Sequence, residues 1–140
     1  MEGWTTILMA AGKGARMHSA KPKVLHRVAG VPMVGHVAAA AREFTHSSAV
    51  IVVSPDNREA IAREMGDDFE YVDQPKLLGT GHALAVALDR VQSEALNILL
   101  LNGDMPLIAG KDLRALGETH VHQQAVITVG VAVLAAADAA

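Results

Sequence analysis

Cysteine is absent from all 140 residues, which excludes disulfides and thiolate metal sites. A reducing compartment is allowed on that count, and the cytoplasm is the expected location. Aromatic residues are scarce, at 3%, so the core has to be built from Ala, Val, Leu and Ile. The hydrophobic share of 51% supplies them and excludes a disordered chain. The longest apolar run, Ala125 to Ala137, falls short of the roughly 20 residues that a bilayer-spanning helix needs. No membrane partner is expected. Met1-Glu2-Gly3-Trp4 lacks the basic start of a signal peptide. A formal net charge of -3 argues against general nucleic-acid affinity. One further absence is local: between Gly3 and Arg42 there is no Asp or Glu, while six Lys or Arg stand there.

That unopposed positive charge surrounds a glycine turn. The apolar run Ile7 to Ala11 ends in Gly12-Lys13-Gly14, and Arg16, Lys21 and Lys23 follow. Glycine lets backbone approach a ligand closely and adopt positive φ. Successive N–H groups in such a turn form a concavity for anions. A bare GxG between solvated lysines would be an ordinary strand–turn. The strand, two glycines, Arg16 and the Pro22-Lys23 pair together favour a phosphate site.

The remaining chain alternates strand and helix patterns. Thr5 to Ala10 reads as a strand, apolar on both faces as in parallel sheets. Residues 11–31 read as a long ligand loop, and Pro32 opens a helix. Val34, Val37, Ala38 and Ala41 recur at helical spacing. Ser48 to Ser54 is a second strand. A helix runs from Pro55-Asp56-Asn57 to about Gly66, and Phe69 to Val72 is a short strand. Gly79 to Val91 is helical, Asn97 to Leu101 is a strand, Lys111 to about Gln123 is helical, and Ala125 to Leu134 reads as a last strand. Such alternation implies a parallel α/β layer fold. One domain fits the length.

In open α/β sheets ligands sit beyond the C-terminal ends of the strands. The glycine turn, the segment Gln74-Pro75-Lys76-Leu77-Leu78-Gly79-Thr80-Gly81-His82, and the loop Asn102-Gly103-Asp104-Met105-Pro106 all occupy that position. They are expected to share one rim. Thr80 can cap the helix it precedes. Gln74 carries both a donor and an acceptor, which suits the edge of a pyrimidine. His82 reads as a packing or capping residue rather than a catalyst. Asp104 could merely cap its loop, yet a lone carboxylate beside bound phosphates is a common way to hold Mg²⁺.

AAGKGARM followed by PKVLHRVAGVPM, with LGTGHA and LNGDMPL, resembles the nucleotidyltransferases that join a nucleoside triphosphate to a sugar 1-phosphate. The likeness is greatest to the uridyltransferase domains of bifunctional N-acetylglucosamine-1-phosphate uridyltransferase / glucosamine-1-phosphate acetyltransferases. Ala15 stands where that family usually has Thr, and Asn102 where it commonly has Tyr. The resemblance implies a Rossmann-like, three-layer, mostly parallel nucleotide-diphospho-sugar transferase fold. It implies that UTP and N-acetylglucosamine 1-phosphate yield UDP-N-acetylglucosamine and pyrophosphate, with Mg²⁺ as cofactor. By the same resemblance, Arg16 and Lys23 are catalytic. Ala10, Ala11, Gly12, Gly14, Lys23, Gln74, Gly79, Thr80 and Gly103 bind nucleotide, and Asp104 binds the metal. Residues 1–140 would then be the nucleotide-binding N-terminal portion of such a domain, with the acceptor half lying after Ala140. On that expectation the chain alone binds nucleotide and turns over little. It self-associates through an uncovered sheet edge near Val126 to Leu134. A nucleotide-binding α/β module without turnover is the rival class, and another base or acceptor is the rival within the superfamily.

Overall fold

The computed structural model describes residues 1–14, 17–46, 49–91 and 97–131. Four parallel strands form the central sheet: β1 (Trp4–Met9), β4 (Val50–Val53), β5 (Glu70–Asp73) and β6 (Asn97–Asn102), in the order β5-β4-β1-β6. Ile7 registers with Val50 on one side and with Leu100 on the other. These strands are apolar because both faces are covered. Leu8, Ile51, Val53, Leu99 and Leu101 point to one face, and Ile7, Val50, Val52 and Val72 to the other.

The first face carries α1 (Met33–Thr45) and α4 (Gly110–His122). Val34, Val37, Ala38 and Ala41 of α1 are buried there, as their spacing predicts. Phe44, fully buried, fills the space between the two helices and β1, with the Trp4 ring packed edge-on at 5.2 Å. Helix α2 (Arg58–Met65) contributes Ile61 to the same cluster. The opposite face carries α3 (Thr80–Leu88), which buries Ala83 and Ala87 against Ile7 and Val52. The small residues of α3 let it lie close to the sheet. Helices on two faces of a mostly parallel sheet make three layers, the α/β class expected.

Three details differ from the sequence reading. The loop 11–31 contains a turn of 3-10 helix, Lys23–Leu25, and the first strand of a hairpin. Strands β2 (Arg27–Val28) and β3 (Val31–Pro32) pair antiparallel, so Pro32 ends a strand and α1 starts after it. Thr80 is not a cap. It lies inside α3, Gly79 is the N-cap, and no side chain caps that end.

The third concerns the last expected strand. Residues 125–131 are not in a strand, and Val126 and Val131 are 94% and 82% exposed. Residues 132–134 lie outside the described residues. Gln124 takes positive φ, Ala125 N–H donates to His120 O, and His120 Nδ1 meets Thr128 Oγ1 at 2.9 Å. The chain therefore folds back along α4, where no ladder partner waits. Apolar alternation gives strand propensity, and the missing neighbour decides against it. The sheet edges among the described residues are β5 and β6, not residues 126–131.

Candidate functional site

The strand order sets the place of the site. From β1 the chain crosses to β4 and then β5, and α3 carries it back to β6 on the far side of β1. Strand order thus reverses between β1 and β6. Loops leaving their C-terminal ends part there and leave a crevice. A cleft of about 440 Å³ opens at this point. That volume falls within the range of about 300–1,000 Å³ usual for small-ligand pockets.

The glycine turn forms one wall. Ala11, Gly12 and Gly14 line the cleft, and nothing lies within 4 Å of where a Gly12 side chain would begin. Gly14 has φ +60, and a Cβ there would come within 2.6 Å of Lys23 Cβ. Only glycine permits that approach, and the approach holds the Lys23 stem against the turn. Asn57, 7% exposed, pins the loop from below: its Nδ2 donates to Ala10 O at 3.0 Å while its Oδ1 accepts from Ser54 N–H. Ala10 also donates its own N–H to Val52 O. Both backbone groups of Ala10 are spent inside the protein, and Ala10 does not line the cleft. Arg16 lies outside the described residues.

The second wall comes from the segment between β5 and α3. Gln74, Leu77, Gly79, Thr80 and Ala83 line it. Gln74 is 3% exposed, and its side-chain nitrogen donates to Gly79 O at 3.1 Å. Gly79 has φ +93, which glycine tolerates and which lets the backbone double back on Gln74.

The third wall is the exit of β6. Asp104 and Asn102 line the cleft. Gly103 does not: it is buried, and its N–H donates to Met9 O at 2.9 Å, which seats this loop on the end of β1. Across the cleft Lys23 Nζ donates to Asp104 Oδ2 at 2.5 Å. Each side chain is about a third exposed, 32% for Lys23 and 33% for Asp104. The two charged residues expected to face phosphate and metal therefore face each other. Met17, Leu77 and Val24 add apolar wall that sequence reasoning did not assign. Their signal is weak, because an apolar residue in a loop is commonplace.

Asp104 presents a hard oxygen ligand, and among the described residues no group of three His, Cys, Asp or Glu gathers to hold an ion. This donor set fits Mg²⁺, which keeps waters and takes one or two carboxylates together with substrate phosphates. It does not fit zinc, which asks for three or four His, Cys or carboxylate ligands from the protein. No helix among the described residues is long and apolar enough to cross a membrane.

Residues 6–135 match the family model of the MobA-like NTP transferase domain. The bifunctional protein GlmU of Heliobacterium modesticaldum is 42% identical over 130 residues, 93% of this chain and 28% of that protein. The chain thus spans little more than a quarter of the length of that relative. Among solved structures, Rv0371c of Mycobacterium tuberculosis H37Rv in complex with manganese superposes with a TM-score of 0.68 at 25% identity, covering 83% of this chain and 58% of that one. A CMP:2-keto-3-deoxy-manno-octonic acid synthetase complexed with CTP gives a TM-score of 0.65 at 22% identity, over 87% of this chain and 48% of the other. The last likeness is one of fold.

Proposed function

We infer that this chain, which belongs to the MobA-like NTP transferase domain family, serves the joining of UTP to N-acetylglucosamine 1-phosphate, giving UDP-N-acetylglucosamine and pyrophosphate. One observation carries the reading: Lys23, Gln74, Thr80 and Asp104, from three segments far apart in sequence, line one cleft at the reversal of strand order. The 42% identity to a GlmU favours uridine and an acetamido sugar within the family.

The chemistry follows from charge. An oxygen of the sugar phosphate bonds to the α-phosphorus of UTP, and the bond from that phosphorus to the bridging oxygen breaks. Pyrophosphate carries away the electron pair. A phosphate monoester is already ionised at neutral pH, so no general base is needed. Two anions have to be held in line, and cations with fixed N–H donors do this. Lys23 neutralises the reacting phosphates, the Gly12–Gly14 turn offers backbone N–H groups, and Arg16 steadies the triphosphate. Asp104 would hold Mg²⁺ together with phosphate oxygens, and that ion supplies charge neutralisation when bound. The manganese named with the Rv0371c structure supports a divalent ion in general. For Lys23 and Asp104 to take these roles, their mutual ion pair has to open.

Isothermal titration with four nucleoside triphosphates in Mg²⁺ tests the base, and UTP should bind tightest. Tighter binding of another triphosphate would replace the uridyl assignment. Protein at substrate concentration, incubated with UTP and N-acetylglucosamine 1-phosphate, should give equal amounts of UDP-N-acetylglucosamine and pyrophosphate. UTP binding with no product would leave a nucleotide-binding module in place of a transferase.

A further inference from the structure

His82 stands in the first turn of α3, behind Gln74, and no step of the chemistry above uses it. Its Nδ1 lies 3.2 Å from the side-chain nitrogen of Gln74, and the same nitrogen lies 3.1 Å from Gly79 O. A backbone carbonyl only accepts, so the Gln74 atom facing Gly79 is the NH₂ group and not the oxygen. The second hydrogen of that NH₂ points to His82 Nδ1, which accepts it and leaves the ring proton on Nε2. Both donors of the amide are thereby consumed within the protein.

Gln74 Oε1 is left. No group among the described residues bonds to it, and the fully buried orphan atoms there are Thr6 Oγ1 and His26 Nε2. Oε1 therefore keeps an opening to the cleft that Gln74 lines. An amide free to turn would offer a donor or an acceptor and so read no base in particular. This amide offers an acceptor.

We propose that His82 is a positioning residue for base selectivity: by accepting the second Gln74 N–H, it fixes the amide so that the cleft meets an acceptor, which selects a pyrimidine carrying N3–H over one carrying a bare N3. The proposal rests on the uracil reading above. Uracil donates at N3. Cytosine presents a lone pair there, and two acceptors face to face leave both unpaired. Gly79 O takes one N–H of the Gln74 amide and His82 Nδ1 takes the other, so His82 is the side chain that completes the hold on the amide and can be replaced without changing the backbone.

The test is the ratio of UTP to CTP affinity in the wild-type protein, in His82→Ala and in His82→Asn, by isothermal titration in Mg²⁺. The wild type should favour UTP by about tenfold or more, the usual worth of one satisfied against one unsatisfied buried partner. His82→Ala should lower that ratio severalfold, since the amide is then held by Gly79 O alone. His82→Asn should keep it, since Asn Oδ1 can stand near the place of Nδ1 and accept. Alanine suits a helix, so the fold should survive and circular dichroism should show it. A merely structural role would weaken both nucleotides alike and leave the ratio unchanged, which would overturn the proposal. A ratio lost equally in the Ala and Asn variants would overturn the acceptor as its cause. A wild type without preference would instead remove the uracil reading, and the proposal with it.

Discussion

Among the described residues the Lys23 side chain has one partner, Asp104, and the proposed function gives it a second. Its ammonium rests on Asp104 and its stem is held by Gly14, and the proposed phosphate role requires that ion pair to open. Replacing Lys23 by Ala should weaken UTP binding by the value of a charge-assisted contact, about 1.5–3 kcal/mol, and leave uridine binding nearly unchanged. Equal losses for both ligands by titration calorimetry would rule out a phosphate role. Thr6 shows the opposite case of a polar atom with nothing to do. It is fully buried, and its hydroxyl has no partner among the described residues. Thr6→Val keeps the branched shape and removes the orphan group, so thermal unfolding should show a gain of about 1 kcal/mol. An unchanged or lower stability would mean that the hydroxyl has a partner after all.

The hairpin of β2 and β3 is the element where propensity and geometry disagree most. Val28 pairs with Val31, so Ala29 and Gly30 form a two-residue turn, with φ of 48° and 83°. Positive φ at both centres is the mirror-image turn that matches strand twist. Gly30 adopts it freely, whereas Ala29 meets its own Cβ. Ala29→Asn should stabilise the protein by about 0.5–1 kcal/mol, because Asn tolerates this region and gives the favoured Asn-Gly pair. Ala29→Val should do the reverse, since a branched Cβ worsens the contact. Chemical denaturation of the pair measures both signs, and a Val variant as stable as the parent would contradict the turn geometry. The hairpin carries Arg27, which pairs with Glu64 of α2, so the turn also ties the ligand loop to the body.

At the scale of the whole molecule the cleft joins the ends of β1, β5 and β6 through their loops. A ligand bound there links segments far apart in sequence, and binding to the folded state alone stabilises it by mass action. UTP with Mg²⁺ at about a hundred times its dissociation constant should add about 2.7 kcal/mol. Removing the metal with a chelator should cut the gain, and Asp104→Asn should make the gain insensitive to chelator. Thermal shift in the four conditions checks this. Chelator sensitivity that survives in Asp104→Asn would place the metal elsewhere.

Much of this was legible along the chain, for reasons that are local. The strands β1, β4 and β6 are runs of apolar residues covered on two sides, and such runs need no partner to be recognised. Helix α1 shows its buried face in the spacing of Val34, Val37, Ala38 and Ala41. Glycine turns and the exit loops after strands point to a phosphate site because backbone chemistry alone makes them suitable. What lay beyond the sequence was long-range pairing. Six cations without an acid between Gly3 and Arg42 suggest an open positive patch, yet Lys13 meets Asp56, Lys23 meets Asp104, Arg27 meets Glu64 and Arg42 meets Asp68. Residues 125–131 have the composition of a strand and none of the neighbours. Gln74 and His82, eight apart, read as independent until the turn at Gly79 folds one onto the other. Secondary structure is written in periodicity and turn chemistry, which each segment carries by itself. Which charge is answered, which strand finds a ladder, and which edge of an amide faces the cleft depend on contacts that only the closed fold brings together.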